Sequence, residues 1–129
     1  MVAQTLDLNA SLSDDDVDRI FRALADATRR DILRRTLQAE SSVSDLAEEY
    51  AMSFAAVQKH IAVLEAAGLV TKSQQGRLRL VRGNPEAIQR AQALLDEYEA
   101  LWRSRISRLD ALFASERNDA SDIDTAPKD

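Results

Sequence analysis

Within one short segment, Phe54, Ala55, Gln58 and Lys59 offer an aromatic ring, a methyl group, a carboxamide and an ammonium. A carboxamide makes two in-plane hydrogen bonds to adenine, an ammonium serves guanine or a phosphate, and small apolar groups fit the thymine methyl, so together they suit base edges in a major groove. Covalent chemistry is poorly supplied by comparison. With no cysteine, one histidine and three glycines, the chain offers neither a nucleophile and base nor a glycine-rich phosphate cradle, so no enzyme and no cofactor are expected. The missing cysteines also exclude a disulfide and a thiolate metal site. His60 reads as a packing or phosphate-contact residue. Glu97 lies one and two positions from Asp96 and Glu99, and helical neighbours at that spacing do not converge, so the three carboxylates do not gather on one cation and no metal site is expected.

A helix must carry the reading side chains. Ser53 is placed to cap it, since its hydroxyl can accept from an amide that the first turn leaves unpaired. Gly68 can end it in the left-handed conformation that a Cβ disfavours. Val57, Ile61 and Leu64 recur at i, i+4 and i+7 and give it a core-facing stripe, leaving the reading residues outside.

The net charge of −5 argues at first against a nucleic-acid partner. Its distribution reverses the inference, because residues 1–18 carry −5 and residues 116–129 carry −3, leaving +3 on 19–115. A weakly basic centre between acidic ends is compatible with DNA. No apolar run reaches a membrane span of roughly 20 residues, and the N-terminus lacks the regions of a signal peptide, so a cytoplasmic location and no membrane partner are expected.

Residues 1–12 have no clear period and read as an N-terminal arm. At Ser13 a Ser-x-x-Asp pattern opens a first helix containing Val17, Ile20, Phe21 and Leu24. Asp26 caps a second, with Ile32, Leu33 and Leu37 inward and Arg29, Arg30, Arg34 and Arg35 on a solvated face paired with Asp26 and Asp31. Ser42 opens a short third helix with Val43, Leu46, Ala47 and Tyr50, and Ser44 at its start is a further candidate DNA contact. The third helix and the reading helix then form a helix-turn-helix.

Leu69–Ser73 and Leu78–Arg82, around a turn containing Gly76, read as a β-hairpin whose charges, Lys72, Arg77, Arg79 and Arg82, are all basic. That makes it a wing, and Lys72, Arg77 and Arg79 are its expected phosphate contacts. Pro85 opens the last helix. Leu95, Tyr98, Trp102, Ile106, Leu109 and Phe113 keep helical spacing over more length than so small a core needs, so these residues, with Phe21 of the first helix, are expected at a homodimer interface. The expected fold is mainly α with a small β-hairpin, a winged helix-turn-helix in the order α-α-α-α-β-β-α over 13–114. An acidic, disordered tail is expected over 115–129.

Two segments in this order resemble a known pattern. Phe21-Arg22-Ala23-Leu24-Ala25-Asp26-Ala27-Thr28-Arg29-Arg30-Asp31-Ile32-Leu33 is similar to the opening signature of the ArsR/SmtB winged-helix repressors, and Val57 through Val70 to their recognition helix and wing start. The resemblance covers about 13–113 and implies a dimeric repressor of a partly palindromic operator in double-stranded DNA, released by a small-molecule or protein effector. Ala27 replaces the family's usual proline, Gln58 a common serine and Phe54 a common polar residue, so the operator sequence is not carried over. The family's metal sensors place Cys on the third helix or His and carboxylates on the last; this chain is similar instead to members without those ligands. Two other readings fit the same residues: a winged-helix adaptor that does not bind DNA, and a metal-responsive repressor using carboxylates alone.

Overall fold

The computed structural model describes residues 13–125, with side chains described through 118; the arm expected over 1–12 lies outside them. Each helix begins where a short polar side chain can satisfy an orphan amide. In α1 (Asp14–Leu24) the Ser13 hydroxyl accepts from the Asp16 amide at 3.1 Å, and Asp14, Asp15 and Asp16 occupy the first turn. In α2 (Ala27–Gln38) the Asp26 carboxylate accepts from the Arg29 amide at 3.0 Å. Ser42 caps α3 (Val43–Glu48) and Ser53 caps α4 (Phe54–Ala66), each through its hydroxyl.

Helix α2 corrects one expectation about the core. Thr36 is buried and Leu37 is 42% exposed, because the inward side of α2 runs through Ile32, Leu33 and Thr36. The threonine is accommodated there by donating its hydroxyl hydrogen toward the Ile32 and Leu33 carbonyls, at 2.9 and 3.1 Å. Burial therefore leaves no unpaired polar atom.

Beyond α4 the chain turns through Gly68 at φ +76°, and the Leu69 amide bonds back to the Leu64 carbonyl at 2.9 Å. Strands β2 (Val70–Gln75) and β3 (Leu78–Gly83) pair antiparallel, from Val70 opposite Gly83 to Gln75 opposite Leu78, with Gly76 at φ +62° in the two-residue turn. A third strand, absent from the sequence reading, is β1 (Ser41–Ser42). It pairs antiparallel with β3, Ser41 opposite Val81 and Ser42 opposite Leu80, giving the order β1-β3-β2. Val57, Ile61 and Leu64 of α4 pack with Ile32, Leu46, Leu69, Val70 and Val81 in one core, so the reading helix is seated from below by α2, α3 and the sheet.

Helix α5 (Pro85–Thr125) runs past Ser115 into the segment expected as an acidic tail, and 126–129 lie outside the described residues. Helical hydrogen bonds close within the segment itself, so the loss of apolar residues after Phe113 removes packing without breaking the ladder. The chain also divides after Ala93 into a winged-helix unit and the remainder of α5. The first unit ends with Ala87 and Ala91 buried in its core. In the second, Leu95, Tyr98, Trp102, Ile106, Leu109 and Phe113 are all exposed.

Candidate nucleic-acid interface

At 100° of helix rotation per residue, Gln58 and His60 lie on opposite flanks of the Val57, Ile61, Leu64 stripe. The Gln58 flank borders the wing. There, Ser42, Val43 and Ser44 at the start of α3, Phe54 and Gln58 of α4, and Arg77, Leu78 and Arg79 of the hairpin line an open cleft of about 330 Å³. Two arginines are among these lining residues and no aspartate or glutamate is. Five of the expected DNA contacts, Ser44, Phe54, Gln58, Arg77 and Arg79, are thus brought together.

The other expected contacts are distributed differently. Ala55 and Lys59 are exposed on the outer face of α4 but do not line the cleft. Ser53 uses its hydroxyl to cap α4, accepting from the Ala56 amide at 3.1 Å. Lys72 pairs with Glu65 at 3.3 Å, which links β2 to the end of α4. Leu78 and the Ser42–Val43 pair joined the cleft without being foreseen. The strand alternation that exposes Leu78 was available in the sequence, whereas a two-residue β1 carries no periodic signal.

His60 does not line the cleft. Its Nδ1 lies 3.3 Å from Arg29 Nη1 and 3.8 Å from an Asp26 carboxylate oxygen, which places it beside the α1–α2 corner. Arg29 itself donates to the Ala23 and Arg22 carbonyls at 2.8 and 2.9 Å, and Arg30 to the Leu24 carbonyl at 2.8 Å. Both close the C-terminal carbonyls that α1 cannot satisfy alone. The ion-paired face expected of the α2 arginines therefore holds for Arg34 and Arg35, which bond to Asp31.

Asp31 also fixes the helix-turn-helix. The Tyr50 hydroxyl donates to Asp31 at 2.6 Å, joining the segment after α3 to α2. This bond and those from Arg35 and Arg34 hold the Asp31 carboxyl well below the usual carboxylate range. Burial, and then the hydrogen bond to Asp31, push the Tyr50 hydroxyl up to about 12. Among the described residues no three histidine or acidic side chains are grouped so as to hold a metal ion.

A helix-turn-helix domain family matches residues 24–73, which span α2 through most of β2. The regulator Rv2034 of Mycobacterium tuberculosis, an HTH-type transcriptional regulator, is 32% identical over 102 residues, covering 79% of this chain and 92% of that protein. The crystal structure of an ArsR family transcriptional regulator is 36% identical, with a TM-score of 0.68 over 71% of this chain and 95% of that one. This chain belongs to the ArsR family of transcriptional regulators. A more distant structural neighbour, Mb0332 from Mycobacterium bovis, is described as a homodimeric winged helix-turn-helix DNA-binding domain of a possible ArsR-family transcriptional regulator; it is 25% identical, with a TM-score of 0.55 over 67% of this chain and 79% of that one. In the present ArsR-family regulator, the cleft is built from the helix-turn-helix and wing elements that these proteins share. None of its described helices is long and apolar enough to cross a membrane.

Proposed function

We propose that this protein is a homodimeric repressor, of the kind that does not sense metals, and that it reads a partly palindromic operator through α4 and the wing. The observation that carries the reading is the cleft lined by Gln58, Arg77, Arg79 and Ser44 with no acidic residue among its lining. In this reading Gln58 recognises adenine, Lys59 serves guanine or a phosphate, and Phe54 and Ala55 touch thymine methyl groups. Arg77, Arg79 and Ser44 hold the sugar-phosphate backbone. Homodimerisation is supported by the exposed apolar side of α5 and by the homodimeric state of the Mycobacterium bovis neighbour. Two copies would present their reading helices to half-sites about 34 Å apart.

Fluorescence anisotropy with the DNA flanking the protein's own gene tests the proposal. Tight binding to a fragment containing an inverted repeat, weaker binding to scrambled DNA, and loss of affinity with added salt are expected. Absence of binding to any duplex would favour the adaptor reading. Zinc followed by chelator should leave operator affinity unchanged; a reversible change would overturn the non-metal assignment.

A further inference from the structure

Between Glu49 and Glu86 the chain has a single acidic side chain, Glu65, against Lys59, Lys72, Arg77, Arg79 and Arg82. Its position is a poor one for the helix that carries it. Glu65 lies in the last turn of α4, which holds no basic residue, and the partial negative charge at a helix C-terminus disfavours a carboxylate there. What the carboxylate meets is the wing, its Oε1 standing 3.3 Å from the Lys72 ammonium.

The hairpin register brings the two together. Lys72 is opposite Val81 and Gln74 is opposite Arg79; cross-strand partners and alternate residues share a face, so Val70, Lys72, Gln74, Arg79 and Val81 are on one side of the hairpin. Val70 and Val81 belong to the core with Ile61 and Leu64 of α4. This side therefore looks onto α4, and Lys72 and Arg79 continue it outward. Both line a small hollow with Gln58 and Ile61, and both line a larger one with Glu65, Ser73 and Gln74. Lys72 thus borders Gln58 as well as Glu65, residues seven apart and about 10 Å from each other along the helix. Its flexible four-carbon stem can serve either direction, and the ion pair draws it toward Glu65. Arg79 lines the cleft, whereas Lys72 does not.

We infer that Glu65 limits the grip of the wing on DNA, holding the Lys72 ammonium at the end of α4 and off the phosphate backbone assigned to Arg79. This rests on the DNA-binding reading above and adds to it a positioning residue that itself touches no DNA. The lysine expected from the sequence to hold phosphate is a contact held back. Both side chains of the pair are partly exposed, so the pair is weak and loss of the acid is enough to free the lysine. Phosphate contacts carry no sequence information, so Glu65 lowers affinity for operator and random duplexes by the same factor.

Anisotropy titrations of the full-length protein over a salt series, against the inverted-repeat fragment and a scrambled duplex, test the inference. Glu65→Gln should tighten binding to both duplexes by about tenfold at low salt and steepen the slope of log K against log salt by about 1.8, from one added phosphate contact of about 0.9 in each subunit of the dimer. Lys72→Gln alone should stay within about twofold of wild type, and the double variant should lose the gain. Glu65→Ala should repeat the result of Glu65→Gln, and matching urea midpoints check that the variants are folded. Unchanged affinity and slope in both Glu65 variants overturn the inference. So does a gain that persists in the double variant, which is plain repulsion between Glu65 and phosphate, or a marked loss in Lys72→Gln alone, which puts the lysine on DNA already. If neither wild type nor variants bind any duplex, the DNA-binding reading falls as well.

Discussion

At the scale of single residues, the proposed function gives Gln58 the reading of sequence and Arg77 and Arg79 the hold on backbone. Gln58→Ala should relax discrimination at one base position by about 1–3 kcal/mol, whereas Arg79→Ala should weaken all duplexes alike and flatten the salt dependence; competition binding against operator variants checks both. Equal losses for both variants on operator and random DNA would show the roles misassigned. Tyr50→Phe should cost about 1 kcal/mol at neutral pH by removing the bond to Asp31. The raised tyrosine pKa fixes the sign of the alkaline dependence. Its contribution is complete below about pH 10 and is lost as pH rises through about 12, so urea midpoints of wild type and variant should converge over that range. The depressed Asp31 carboxyl works in the other direction, its contribution present above the ordinary carboxylate pKa and lost as acid protonates it. Residue types in the sequence made Gln58, Arg77 and Arg79 readable as candidate contacts. Sequence could not show that Lys72 is occupied by Glu65 or that His60 turns toward Arg29, because both depend on which flank of α4 meets which neighbour.

Among the elements, capping signals were the most legible. Ser13, Asp26, Ser42 and Ser53 all accept from the amide three residues on, as their positions before apolar runs suggested. The Leu37 placement failed because helical spacing admits two adjacent inward stripes, and the close approach of β3 to α2 decides between them. Gly83 is the point of that approach, where an added Cβ would fall 2.6 Å from the Leu37 side chain and 3.0 Å from its backbone nitrogen. Gly83→Ala should therefore destabilise the fold by about 1–3 kcal/mol, read as a lower urea midpoint. Leu37 is half exposed and its side chain can move, but its backbone cannot. If Gly83→Ala proves neutral, β3 and α2 are less tightly apposed than described.

For the whole molecule, an acidic chain that binds DNA must concentrate its positive charge. Two guanidiniums per cleft give four per dimer, and each neutralised phosphate contributes about −0.9 to the slope of log K against log salt, so a slope on the order of −4 is expected for operator binding. Leu109→Glu should yield a monomer by sedimentation and lower operator affinity by about a hundredfold, since each half-site would then be bound without its linked partner. The β1–β3 pairing bears on how such a molecule can change over time. It clasps the chain before α3 to the returning wing, closing a loop of roughly forty residues that contains the helix-turn-helix. Residues added at the hairpin tip would instead lengthen the two-residue turn around Gly76, and tripling so short a loop costs about 1 kcal/mol, because closure entropy grows with the logarithm of loop length. Wing length is therefore a trait with a modest cost set at its own turn, and the long loop closed by β1 and β3 is little affected by it.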